Sequence, residues 1–377
     1  MKVLLAPDSF KSSLSAHECA NALAEGIRSV DADCKIVAIP LADGGEGTID
    51  ALVAYGFSAT VVDVTDSQGA AYAASIAWGP QVALIESAQA CGFVAGAPVT
   101  HALRASTHGV GMLIRHALDA GVEEILLGVG GTASTDGGAG MLEELGVRFT
   151  DASGMPLGAG GGALVNLRHV DLTGLDSRLG KIRLRLLSDV DNPLLGPKGA
   201  AQMFSPQKGA DSQAVAELDE GLRTLSTLID PATADLPGSG AGGGLGYAAM
   251  AVLGAVQESG ARVIMDRVDL EEQLATADLV VTAEGSFDDQ SLNGKITGQV
   301  LAMAARHNVP SLVVCGVEAL ATRDVLADYT VRSVIALSEC EPDLARSMAN
   351  ARALLVRAGE RIGLFLPQIA GRTPGEV

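Results

Sequence analysis

Aromatic side chains are scarce in this chain, with one Trp, four Tyr and seven Phe among 377 residues, so it lacks the stacking platforms on which single-stranded nucleic acids are held. Basic charge is also short: 26 Lys and Arg face 45 Asp and Glu, a formal net charge of −19. That balance argues against nucleic acid and anionic membrane surfaces as partners, because both need a basic footprint. No uninterrupted apolar stretch approaches the ~18 residues of a spanning helix. The apolar start MKVLL is ended by Pro7 and Asp8 before it could serve as a signal peptide. The five cysteines (Cys19, Cys34, Cys91, Cys315, Cys340) form no C-x-x-C pair and read as reduced cytoplasmic residues. His101, His108 and His116 lack zinc-ligand spacing, and Ser87 has no adjacent base for a nucleophilic triad. Both the P-loop signature and G-x-G-x-x-G after the first strand are missing.

What the chain does have is glycine, 46 residues against an average near 7%, with no collagen-like period. Two glycine-rich loops share an Asp-Gly-Gly core: LADGGEGT at 41–48 and GVGGTASTDGGAGML at 128–142. Each follows a short β-branched apolar run and precedes a helix-like stretch. Such a strand-to-helix turn can offer backbone amides and the positive end of a helix to a phosphate. The carboxylates in these loops, Asp43, Glu46 and Asp136, would repel a bare phosphate but suit a Mg²⁺ ion carried on one.

The chain is long for one core. Strand 3–6, a helix at about 15–29, strand 35–39 and a helix through Tyr55 give a β-α-β-α start. Strands at 261–265, 278–283, 311–315 and 332–337, alternating with helices, repeat that rhythm. The middle differs: 59–64 and 75–86 alternate apolar and polar residues around Asp66–Gly69, as a half-exposed antiparallel sheet does. The fold class expected is α/β: a Rossmann-like doubly wound parallel sheet formed by 1–59 and 258–377, with a second α/β domain containing mixed or antiparallel sheet inserted at 60–257. The block 106–150 fits either domain, and the tail after Phe365 reads as a frayed end.

Three polar clusters follow strands, where open α/β sheets bind ligands. APDSFKSSLSA (6–16) offers Asp8, Ser9 and Lys11, with Ser13 or Ser15 as a helix cap. SDVDNPLLGPKGAAQMFSPQKGA (188–210) carries Asp189 and Asp191, which would share one side of an extended strand, with Lys198 and Lys208 adding charge. TAEGSFDDQSLNGK (282–295) offers Glu284, Asp288 and Lys295. The run SGAGGGLG (239–246) reads as a nest of N–H groups or a flexible hinge.

Taken together, APDSFKSSLSA, PLADGGEGT, GVGGTASTDGGAGML, SDVDNPLLGPKGAAQMFSPQKGA, GAGGGLG and AEGSFDDQSLNGK resemble the bacterial glycerate kinase family of the two-domain type. The resemblance runs from residue 6 to residue 295 and extends into the downstream β-α rhythm. It implies transfer of the ATP γ-phosphoryl group, with Mg²⁺, to a hydroxyl of D-glycerate giving 2-phosphoglycerate, at a site in the cleft between two domains. Ser12, His108 and Ser286 depart from residues frequent in relatives, and the Gly-Lys-Ile-Thr stretch at 294–297 lacks a proline common there.

Phosphoryl transfer needs positioning and charge neutralisation. On residue chemistry, the amides of Gly44, Gly45, Gly137 and Gly138 would cradle phosphates, with Glu284 and Asp288 on the nucleotide side. Asp43, Glu46 or Asp136 would hold Mg²⁺. Asp189 or Asp191 would orient or deprotonate the acceptor hydroxyl, and Lys11 and Lys295 would bind the substrate carboxylate or the transferring phosphate. Asp8 and Ser9 join Lys11 on the substrate side. A kinase for another small hydroxy acid, or a non-catalytic sugar-acid sensor on the same fold, remains an alternative.

Overall fold

A computed structural model describes residues 1–11, 13–93 and 96–369. The chain divides into two compact units, Met1–Asp43 with Asp50–Tyr55 and Ala261–Val377, and Gly44–Ile49 with Gly56–Gly260. Among the described residues no helix is long and apolar enough to cross a membrane.

The first unit is built on a five-stranded parallel sheet in the order Val331–Ala336, Ser311–Ala319, Leu279–Asp288, Lys2–Leu5, Lys35–Ala38. Chain order reverses between Lys2–Leu5 and Leu279–Asp288, so the topological switch point lies there. Alternation along Ser311–Ala319 shows both faces covered. Leu312 and Val314 join the core beneath the helices Ala16–Val30 and Ala351–Ile369, while Val313 and Cys315 join Phe287 and Leu301 on the other face. The helix Ala16–Val30 starts where its sequence dictates. The Ser15 side chain accepts from the Glu18 amide and the Glu18 carboxylate accepts from the Ser15 amide, a capping box. Its partner helix crosses closely enough that a Cβ on Gly26 would lie 2.0 Å from the Val356 carbonyl oxygen, which ties the two ends of the chain into one core.

The second unit holds a six-stranded mixed sheet in the order Val256–Glu258, Arg183–Leu187, Glu124–Gly128, Val82–Glu86, Ala71–Gly79, Ser58–Thr65, and a small sheet of Arg148–Thr150 with His169–Asp171. The first four strands run parallel and the last two pair antiparallel. The hairpin at Asp66–Gly69 forms as its sequence implies, with Asp66 Oδ1 accepting from the amides of Gln68 and Ala70. Glu124–Gly128 places the ambiguous block 106–150 in this unit.

Three expectations need correction. Residues 261–265 form no strand but the helix Gly260–Arg267: Ala261, Ile264, Met265 and Val268 are buried at helical spacing. The stretch 75–86 is two strands separated by a turn in which Gln81 takes φ 58. After Phe365 the chain stays helical to Ile369, with Pro367 inside the last turn and Leu366 continuing the buried stripe; residues 370–377 lie outside the described ones.

Residues 239–246 are neither hinge nor open nest. Gly242, Gly243 and Gly244 take φ 60, 71 and 89 in succession, and Gly243 is buried with its carbonyl accepting from the Gly137 amide at 3.1 Å. A Cβ on Gly243 would sit 2.0 Å from the Ser134 carbonyl oxygen, adding a collision to the ~1–2 kcal/mol left-handed penalty of an L-residue. Gly243→Ala is therefore expected to lower stability by more than about 2 kcal/mol, read as a drop of several degrees in Tm; an unchanged Tm would show that the turn relaxes freely.

Candidate active site

In the first unit the switch point gathers charge. The ladder continues past the strand ends, with the amides of Ala6 and Asp8 donating to the carbonyls of Val281 and Ala283 at 2.8 Å, and those of Ile39 and Leu41 to Leu5 and Pro7. These ties fix the segments that carry Asp8 and Asp43. Phe10 is buried and bridges to Leu14, leaving Lys11 exposed on the turn. Ser12 lies outside the described residues. Asp8 Oδ1 accepts from the Ser9 amide at 2.6 Å. Burial pushes the Asp8 carboxyl up to about 7; the Ser9 hydrogen bond opposes the shift, the neighbouring charges of Asp43 and Glu284 add to it, and Lys11 offsets it. Asp8, Lys11, Asp43 and Glu284 thus share one electrostatic neighbourhood.

Glu284 is 7% exposed, its Oε2 accepting from the Ser291 hydroxyl at 2.9 Å. Burial raises its carboxyl, against the Thr297 and Ser291 hydroxyls and Lys295. Asp288 caps the short helix Asp289–Leu292 by accepting from the Ser291 amide. Lys295 Nζ stands 3.8 Å from Asp288 Oδ1 and is half exposed. Ser286 is exposed on the same stretch.

The second unit overturns the phosphate cradle as read from sequence. Asp136 is wholly buried, and its carboxylate accepts from the Thr107 amide (2.8 Å) and hydroxyl (2.9 Å), the Gly138 amide (3.1 Å) and the Gly140 amide (3.2 Å). Desolvation pushes its carboxyl up and these bonds oppose the shift. A carboxylate so enclosed is a structural tie rather than an open metal ligand. Gly137 and Gly138 are equally engaged: the Gly137 amide donates to Gly243, that of Gly138 to Asp136, and Cβ atoms there would collide with Leu225 and Ala248. They serve packing and have no amide left for a phosphate.

The first loop uses the same device. Glu86, 1% exposed at the end of Val82–Glu86, accepts the Ile49 amide at 2.5 Å, so a protein carboxylate occupies the start of the helix Thr48–Ala54. Gly44 is buried with φ 88, and a Cβ there would lie 2.7 Å from Leu187 Cβ, so it too is a packing glycine. Gly45 is half buried, its Cα 3.1 Å from the Cβ position of Gly130. Gly130 and Gly131 are exposed at the carboxyl end of Glu124–Gly128, and Glu46 is exposed as well.

Asp189 and Asp191 lie beyond the strand Arg183–Leu187, both exposed, in a loop held by backbone ties such as Ser188 N to Glu258 O and Gly240 N to Asn192 O. Lys198 is exposed. Lys208 is the opposite: 6% exposed, with Nζ donating to the Ser134 carbonyl at 2.5 Å and the Thr132 hydroxyl at 3.4 Å. His108 Nε2 lies 3.1 Å from Glu144 on the neighbouring helix Ala139–Glu144.

Two positions were missed by sequence reasoning. Glu86 ends an apolar strand, and a lone acid closing a fully buried run was its only signal. Gly130–Gly131 lay inside a motif whose second glycine pair drew the attention.

Residues 3–366 match the family described as the Glycerate kinase family. The chain belongs to the glycerate kinase family. It is 41% identical over 326 residues to the glycerate 2-kinase of Escherichia coli K12, covering 84% of this chain and 85% of that protein. It is 40% identical over 338 residues to the glycerate kinase of Bacillus subtilis 168, covering 87% of each. A solved structure from Salmonella typhimurium LT2, provisionally named glycerate kinase 2, superposes with TM-score 0.84 at 37% identity, over 98% of this chain and 99% of that one. The fold likeness supports the α/β reading of a parallel sheet in one unit and a mixed sheet in the other.

Asp8 supplies a test of the charged neighbourhood. Its folded pKa lies above the ordinary 3.8, so its ionisation opposes folding, and the stability present at low pH is lost as pH rises through about 7. Asp8→Asn is expected to raise Tm at pH 8, by the equivalent of about 2 kcal/mol, and to leave it unchanged near pH 4. A variant that loses Tm at pH 8 would place Asp8 in a stabilising pair instead.

Proposed function

We propose that this kinase transfers the γ-phosphoryl group of ATP to a hydroxyl of D-glycerate, giving 2-phosphoglycerate. The observation that carries the reading is the grouping of Asp8, Lys11, Asp43 and Glu284 at the switch point, in a chain of the glycerate kinase family. The glycerate 2-kinase name of the Escherichia coli relative supports the 2-position.

Lys11, exposed, binds the glycerate carboxylate as a point charge, with Ser9 on the same segment. Asp189 or Asp191 takes the proton of the acceptor hydroxyl as its oxygen bonds to phosphorus and the bond to the β-γ bridging oxygen breaks. Lys295 offsets charge on the transferring group. Backbone amides at Gly130 and Gly131, both exposed, replace the buried glycines as phosphate donors.

Among the described residues no three His, Cys, Asp or Glu side chains form a ready-made metal cage. The exposed carboxylates of Asp43 and Glu46 suit Mg²⁺, which takes one or two carboxylates and completes its shell with phosphates and water. Asp43 and Glu46, both exposed, are the residues to hold it, and Asp136 leaves the set. Bound there, the ion would neutralise charge on the β- and γ-phosphates.

ADP release with D-glycerate tests the base. Asp189→Asn or Asp191→Asn should lower kcat by about 10²–10⁴-fold, and wild-type turnover in both folded variants would place the base elsewhere. Lys11→Ala should raise the D-glycerate KM and leave that for ATP near wild type. Phosphorus NMR of the product distinguishes 2- from 3-phosphoglycerate.

A further inference from the structure

We propose that Lys208 is a positioning residue for phosphoryl transfer, its ammonium fixing residues 131–134 from beneath so that the exposed Gly130–Gly131 amides present a positive face to the nucleotide phosphates. The inference rests on the kinase reading above. It adds a residue that would touch neither substrate.

The geometry is specific. Lys208 Nζ donates to the Ser134 carbonyl and to the hydroxyl of Thr132, itself 4% exposed. The flanking backbone is fixed as well: the Ala133 amide donates to the Cys91 carbonyl at 2.8 Å and the Phe93 amide to the Gly131 carbonyl at 2.9 Å. The lysine is itself held in a short turn, Pro206–Lys208, closed by Gly209 at φ 96 with its amide donating to the Pro206 carbonyl. Among the described residues, Lys208, Cys91 and Phe93 thus hold residues 131–134, while Gly130 and Gly131 are exposed.

A neutral side chain could make the same bonds, so the charge asks for a reason. A buried ammonium is costly unless compensated. The titratable groups facing it are Cys91 and Asp136; burial lowers the Lys208 ammonium to about 8 against the pull of both. In a poorly polarisable interior its field is weakly screened, and the residues it holds, Thr132 and Ser134, directly follow the exposed Gly130–Gly131 pair. That field favours an anion on the exposed side of Gly130 and Gly131. In a chain of net charge −19, a cation that water cannot screen is an effective local counterweight.

The dependence on charge separates this role from simple support. As pH rises through about 8 the ammonium becomes neutral, so ATP affinity should fall across that interval in the wild type. Lys208→Met keeps the length and apolar stem without the charge. It is expected to weaken ATP binding at pH 7 roughly tenfold, to leave the D-glycerate KM near wild type, and to abolish the pH dependence of ATP binding around 8. Titration with a non-hydrolysable ATP analogue and Mg²⁺, without turnover, reads this whichever acid is phosphorylated, so failure of the glycerate reading is told apart from failure of this one. A folded Lys208→Met protein with wild-type affinity, or with the same pH limb, overturns the proposal. Should that variant fail to fold, carbon NMR of wild-type protein labelled at lysine Cε decides it: one lysine should titrate near 8 and shift when the analogue is added. A spectrum in which every lysine titrates in the ordinary range, or in which the low one ignores the nucleotide analogue, overturns it equally.

Discussion

The second unit depends on one buried carboxylate. Asp136 accepts four hydrogen bonds with no exposed surface, and the Thr107 hydroxyl that donates to it also accepts from the Met141 amide. The starts of two helices, His108–Asp119 and Ala139–Glu144, are joined through this one group. Their unpaired first-turn amides would otherwise be exposed to an apolar interior at about 1–3 kcal/mol each. The left-handed turn at Gly137–Gly138 follows from it, because the chain must double back for Gly138 and Gly140 to reach the carboxylate two and four residues away. Only residues without Cβ fit between that turn and Leu222, Leu225 and Ala248, and the glycine run 242–244 closes against the same turn from the other side.

Glu86 performs the same service for the first Asp-Gly-Gly loop by accepting the Ile49 amide. Both loops were read from sequence as helix starts open to a phosphate, and both have their helix starts filled by the protein's own oxygens. An acidic residue in a glycine-rich turn is ambiguous for this reason: the geometry that welcomes a phosphate welcomes a carboxylate equally. Exposure decides which is meant. It assigns Asp136 and Glu86 to the fold, whereas Asp43, Glu46 and the Gly130–Gly131 pair are exposed.

Local signals were legible where local physics governs. Ser15 and Glu18 fix a helix start through a capping box, Asp66 fixes a hairpin, and runs such as LVVTA and SLVVC identify parallel strands by being apolar on both faces. The ARVIM run at 261–265 misled because five apolar residues fit a short strand as well as one and a half turns of helix; the buried positions 261, 264, 265 and 268 separate the two only once the next turn is included. At the site, the sequence located the polar segments but not the direction of each side chain. Asp43 and Asp136 sit in near-identical motifs, yet one is exposed and the other enclosed, because two of the four bonds that enclose Asp136 come from Thr107, remote in the chain. Lys208, in a Pro- and Gly-bounded stretch that reads as surface turn, is buried for the same reason.

A chain with 45 acidic and 26 basic side chains whose family acts on anions must oppose its own field, and the structure shows where it does so. At the switch point of the first unit, burial holds the Asp8 carboxyl up near 7, and the neighbouring charges of Asp43 and Glu284 add to that shift while Lys11 offsets it. Like charges so grouped cost stability, and a fold under no functional demand would relieve them with a single amide. Their persistence is consistent with a visiting cation that removes the repulsion on binding, as Mg²⁺ arriving on a nucleotide would. In the second unit Asp136 and Glu86 are enclosed and hydrogen-bonded, and the unusual buried charge is the Lys208 ammonium, held by the Ser134 carbonyl and the Thr132 hydroxyl. The first unit thus groups carboxylates beside Lys11, while the second buries a cation.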